Sequence, residues 1–243
     1  MEGASERSKP TTIVAWGETQ VGKTSWLATA LYGPDSCWDV IDRERSAVVL
    51  NQVVFPNWQR LRTGMHIDST SEDMINIDLA TASNSTVRFY DIRGQLVNEL
   101  NTTAVQERLI SNADGFLFFL GWRAPLLSQQ IMAIEAMLPF LNGRPSGVIF
   151  TKCEGDLQAE DEEWFGELGW WKKDERLAPF ASVIEKFQER VWPVSAFGYC
   201  QESGSHDRPA MILGEFANAI PFGIGPRNVA HPLRWMLKEL RVR

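Results

Sequence analysis

The sequence predicts an α/β domain: a mostly parallel central sheet with helices on both faces. Three observations carry that expectation. Strand-like and helix-like segments alternate along the chain, the order that threads a parallel sheet through covering helices. Several strand candidates, among them TTIVAW and GVIFT, are continuous apolar runs, as strands covered on both faces require. The first of them runs straight into GETQVGKTS, residues 17–25, a glycine-bracketed loop followed by a helix-compatible stretch.

Taken in order, residues 1–10 (MEGASERSKP) are polar and read as a disordered tail, leaving 11–243 as a single domain. A strand is expected at about 11–16 and a helix at about 23–31. The stretch up to about residue 69 holds a Pro-Asp turn at 34–35 and Pro56 and reads as one long connection. MINIDLA (74–80) and TVRFYD (86–91) lie close enough, through the polar SNS, to predict a hairpin. A helix over 103–111 and a strand over 115–121 come next. The segment LLSQQIMAIEAMLPFL then sets Leu127, Ile131, Ile134 and Leu138 on one helical face. A strand at 147–151, a longer helical region between 160 and 189, and a strand at 190–195 follow. Residues 198–230, rich in Gly and Pro, read as a long loop of the kind that is functional or partly disordered. In PLRWMLKEL, Leu233, Leu237 and Leu240 share a helix face, and Pro232 suits the first turn.

Composition bounds the function. At 243 residues, 44% of them hydrophobic, the chain can bury a core without covalent or metal staples. Its net charge of −7 argues against a general nucleic-acid binder. Cys37, Cys153 and Cys200 make neither a disulfide framework nor a zinc pattern, which points to a reducing, cytoplasmic setting. No membrane anchor is expected: Glu2 stands where a myristoylation signal needs Gly, and the chain ends LRVR with no prenylatable cysteine. The longest apolar run, GFLFFLGW, is too short to span a bilayer.

The loop after the first strand carries the chemistry. Gly17, Gly22, Lys23 and Thr24 fit G-x-x-x-x-G-K-[ST], a backbone cradle whose N–H groups curl around phosphate oxygens. Gly17, Glu18, Thr19, Gln20, Val21, Gly22, Lys23, Thr24 and Ser25 are therefore the expected phosphate-binding residues. Lys23 reaches the outer phosphates, Thr24 offers its hydroxyl to Mg²⁺, and the following helix turns its N-terminus toward the negative charge.

Further boxes fall at strand ends. Asp91, closing TVRFYD, is placed to hold the Mg²⁺ through water; Gly94 offers an N–H to a γ-phosphate, and Gln95 can orient an attacking water. After GVIFT, in Thr151–Glu154, the Lys152 stem can lie along a purine. Glu154 two residues on can accept both guanine N1–H and N2–H. Ser195, Ala196 and Phe197 follow the strand at 190–195 and bring a backbone N–H to the guanine O6.

In this order, GETQVGKT, DIRGQ, TKCE and SAF resemble the boxes of the Ras-like small GTPases over about residues 11–197. The long switch-one stretch and the tryptophan-rich insertions make the resemblance lean toward bacterial small-GTPase-like proteins, including those of signalling or conflict systems. The resemblance implies a P-loop NTPase fold of the Ras-like type, GTP/GDP and Mg²⁺ as ligands, and an enlarged switch-one region at about 32–73. It also implies a switch-one threonine, for which Thr70 fits by spacing and Thr63 is the fallback. Glu154 stands where the family carries Asp, and Thr19 and Gln20 stand where relatives often carry glycine. Arg93 is unusual between Asp91 and Gly94 and reads either as an internal charge near the γ-phosphate or as a paired surface arginine.

The function expected is a Mg²⁺-dependent GTP-binding switch with slow hydrolysis, signalling through an effector or regulatory protein at the switch regions. Lys23, Gln95 and Arg93 are its expected catalytic residues, and Thr24, Thr70 and Asp91 its metal site. The alternative is a nucleotide-binding scaffold with little or no hydrolysis. Trp164, Trp170 and Trp171 in DEEWFGELGWW form either a partner surface or the closure of the core beneath an insertion.

Overall fold

The computed structural model describes residues 9–18, 21–33, 36–62, 74–92, 110–122, 127–151, 153, 170–196, 199–202, 205–208, 223–224 and 228–242. Six strands form one sheet: β1 (Thr11–Trp16), β2 (Met74–Ala80), β3 (Thr86–Ile92), β4 (Gly115–Gly121), β5 (Ser146–Thr151) and β6 (Val191–Pro193). Their order is β2-β3-β1-β4-β5-β6. Only β2 runs antiparallel to its neighbour, through the expected hairpin to β3; every other pairing is parallel.

Residues of the central strands alternate between two cores, one on each side of the sheet. Ile13, Ala15, Leu117, Phe119 and Ile149 pack with Trp26, Leu27 and Leu31 of α1 (Lys23–Tyr32). Leu233, Met236 and Leu237 of the closing helix His231–Glu239 join that core. Val14, Trp16, Phe116, Phe118, Val148 and Phe150 face the other way, onto Leu127, Ile131, Ile134 and Met137 of the helix Leu127–Leu141. Both faces are covered, so the apolar runs are unbroken for the reason read from the sequence. Among the described residues, no helix is long and apolar enough to cross a membrane.

Three regions differ from the sequence reading. Residues 47–62, expected as connection, are helical throughout. They run as an α-helical start (Ala47–Val49), a π-helical stretch (Leu50–Val54) and an α-helix (Phe55–Arg62). Leu50 and Val54 face inward, four residues apart as on one face of a helix, although Pro56 marks the stretch as a connection in the sequence. The longer helical region expected between 160 and 189 is, over 170–187, broken into short helical turns: Trp170–Lys173, Ala178–Phe180, Ala181–Ile184 and Glu185–Phe187. The Gly- and Pro-rich stretch holds a small antiparallel sheet of β7 (Tyr199–Glu202), β8 (Ser205–Arg208) and β9 (Gly223–Ile224). The expected helix at 103–111 lies outside the described residues except for its end, where 110–112 are helical. Residues 1–8 of the expected tail lie outside them too.

Candidate functional site

The site begins where β1 turns into α1. A Cβ on Gly17 would lie 2.7 Å from the Phe119 carbonyl oxygen of β4, so the neighbouring backbone admits only hydrogen there. Gly22 caps α1 with φ of 95°, in the left-handed region that favours glycine. The Lys23 ammonium is buried and donates to the carbonyls of Gly17 at 2.8 Å and Glu18 at 3.0 Å.

The parallel pairing of β3 with β1 puts Asp91 beside Ala15, at the strand end next to the loop. From there its Oδ1 stands 3.7 Å from Lys23 Nζ, and its Oδ2 accepts the Thr24 hydroxyl at 3.0 Å. Burial pushes the Asp91 carboxyl above its ordinary value, while Lys23 and the Thr24 hydroxyl pull it back. Burial likewise lowers Lys23, with Asp91 and then Glu18 acting against it. Each charge is held in a shielded place chiefly by its opposite. Thr24 and Asp91 supply two hard oxygen donors, a number suited to a Mg²⁺ ion that takes its other oxygens from phosphates and water.

Two of the later boxes reach the same edge of the sheet. Thr151, at the end of β5, donates its hydroxyl to the Val21 carbonyl of the loop and to Leu120 at 3.2 Å. Ser195 and Ala196 follow β6, both buried, and the Ala196 carbonyl accepts the Thr29 hydroxyl of α1 at 3.2 Å. Ser25 follows Thr24 in the first turn of α1, half-buried. Of the expected site residues, Thr19, Gln20, Thr70, Arg93, Gly94, Gln95, Lys152, Glu154 and Phe197 lie outside the described residues, as does the fallback Thr63. Trp171 is 3% exposed and belongs to the core on the Leu127–Leu141 side; Trp164 lies outside the described residues.

One residue at the site was missed in the sequence. Gln130 is buried on the apolar face of the helix Leu127–Leu141, accepts the Gly121 N–H at 3.1 Å and donates to Glu18 Oε2 at 2.8 Å. The signal was present: a glutamine three residues after Leu127 and four before Ile134 falls on the core-facing stripe, where an amide needs partners. In comparison with known proteins, the chain matches no protein-family model and no curated protein.

Proposed function

We propose that the protein is a Mg²⁺-dependent GTP-binding switch of the Ras-like P-loop kind, which hydrolyses GTP slowly and signals by changing its partner contacts. One observation carries the reading. A buried lysine is held at a glycine-bounded loop by the loop's own carbonyls, facing an aspartate that binds the next residue's hydroxyl. Catalysis of phosphoryl transfer needs positive charge and oriented donors more than covalent chemistry. Lys23 supplies the charge, the loop N–H groups and the start of α1 supply the donors, and Thr24 with Asp91 would hold Mg²⁺. When bound, the ion would supply positive charge to the phosphate chain. The strand order, with β1 central and β3 and β4 at its sides, supports the finer fold reading. It sets the loop in the crevice that ligands use in open α/β sheets.

Gln95 would orient the attacking water, and Thr70 and Gly94 would be drawn in by the γ-phosphate and released on its loss. Thr151 and Ser195 sit at the ends of adjacent parallel strands, which supports a base site formed with Lys152, Glu154 and Phe197. The decisive experiment is chromatography of nucleotide released from the purified protein, together with binding by Lys23→Ala. Guanine nucleotide is expected from the wild type. The variant should bind roughly tenfold to a hundredfold more weakly for each charge-assisted bond removed. Equal affinity in the two proteins would overturn the phosphate-loop reading. Tight retention of GTP with no turnover would favour the scaffold.

A further inference from the structure

The phosphate loop carries a carboxylate of its own. Glu18 follows Gly17 directly, and its Oε2 accepts a hydrogen bond from Gln130 Nε2 at 2.8 Å. Gln130 is itself fixed by the Gly121 N–H and is 5% exposed, so the clamp is rigid and shielded. The other oxygen, Glu18 Oε1, is buried with no hydrogen-bond partner among the described residues. A shielded carboxylate oxygen without a partner lacks what buried polar atoms ordinarily find.

That charge lies beside the loop's main cation. The Glu18 carbonyl accepts from Lys23 Nζ, and the Glu18 side chain acts with Asp91 to keep the buried Lys23 charged. Phosphates would draw on the same ammonium. We infer that Glu18, held in place by Gln130, competes electrostatically with nucleotide phosphates, so that this loop holds bound nucleotide less tightly than it would with a neutral side chain at that position. Glu18 is thus an affinity-setting residue rather than a catalytic one. The inference rests on the phosphate-binding reading above.

The test is a release series with fluorescent GMP, GDP and GTP from the wild type, Glu18→Gln, Glu18→Ala and Glu18→Asp. Glu18→Gln keeps the shape and the acceptor for Gln130 but removes the charge. Release of GDP should slow roughly tenfold, the scale of one unit charge acting across a partly shielded site. The slowing should grow from GMP to GTP and shrink as salt is added. Glu18→Ala should slow release in the same graded way, and Glu18→Asp, which keeps the charge, should release at close to the wild-type rate. If Glu18 merely packs the loop, both neutral variants release all three nucleotides faster and to the same degree, and the inference falls. Release at the wild-type rate from both neutral variants overturns it as well. In both cases wild-type binding leaves the phosphate-loop reading standing. A wild type that binds none of the three nucleotides overturns that reading and the inference with it.

Discussion

Gly22 enters α1 with φ of 95°, a backbone that an L side chain reaches at a cost of roughly 1–2 kcal/mol. Space is not the obstacle, because a Cβ there would lie 3.7 Å from the nearest Thr151 atom. Asparagine tolerates the left-handed region better than a β-branched residue does. Gly22→Asn should therefore unfold at a higher urea concentration than Gly22→Val, with both below the wild type. Rate is a second matter for single residues. A phosphate loop with a water-orienting glutamine turns over slowly until an arginine stabilises the transition state, so intrinsic hydrolysis of about 10⁻⁴ to 10⁻² s⁻¹ is expected. Gln95→Leu should slow it with GTP affinity nearly unchanged, since the lost interaction belongs to the transition state. Single-turnover assays of Gln95→Leu and Arg93→Ala check this. A large drop in Arg93→Ala assigns an internal arginine, and wild-type rates in both variants would overturn the assignment of this loop.

Elements here are joined by a few directional bonds laid over broad apolar contact. Trp26 of α1 packs edge-on against Phe119 of β4 and donates its indole N–H to the Val229 carbonyl at 2.8 Å. That bond ties the first helix to the start of the last. On the opposite side of the sheet, Arg176 stacks over the Trp122 ring, donates to the Trp122 carbonyl and pairs with Asp174 at 2.6 Å. This holds the short turns of 170–187 to the chain leaving β4. Arg176 beside Asp174 keeps that carboxyl below its ordinary value in the folded protein. A depressed carboxyl stabilises the fold at pH values above its unfolded value, and the gain is lost as pH falls through the folded one. Asp174→Asn should therefore be less stable than the wild type at neutral pH, with the gap closing in acid. Half-exposure of Arg176 limits the neutral gap to about 1 kcal/mol. Urea titrations at pH 7 and pH 3 measure it, and a gap that persists unchanged in acid would remove the ion pair as its cause.

For the molecule as a whole, the order of strands decides what meets what. Because β3 and β4 flank β1, Asp91, Phe119 and the turn from β1 into α1 converge at one edge. Because β5 and β6 follow in parallel, Thr151 and Ser195 arrive at the same edge. A base bound there would be read by the segments after β5 and β6, far from the phosphates in sequence. Wild-type protein should then prefer GDP to ADP, and Glu154→Ala should erase most of that preference, since unpaired polar groups are what create discrimination. Competition binding decides it; equal affinity of the wild type for both would make the chain a general nucleotide binder.

The β1–loop–α1 unit was legible in the sequence because every signal for it is local. An apolar run, two glycines at fixed spacing and a helix-forming stretch lie within residues 11–32, and β1 and the start of α1 fall where the sequence places them. The hairpin of β2 and β3 was legible for the same reason. The helical run at 47–62 was not, because Pro56 reads as a breaker in the sequence, whereas it is the second residue of the helix Phe55–Arg62, in the first turn where proline is tolerated. The turns of 170–187 and the small sheet after residue 199 were hidden likewise: short elements carry too few residues for a period to show. Only the tertiary structure decided that Asp91 meets Thr24 across 67 residues, and that Gln130 meets Glu18 across 112. Those contacts depend on which strands pair and which helix covers which face. Such pairing is chosen by the burial of the whole apolar surface at once, not by the residues beside each partner in the chain.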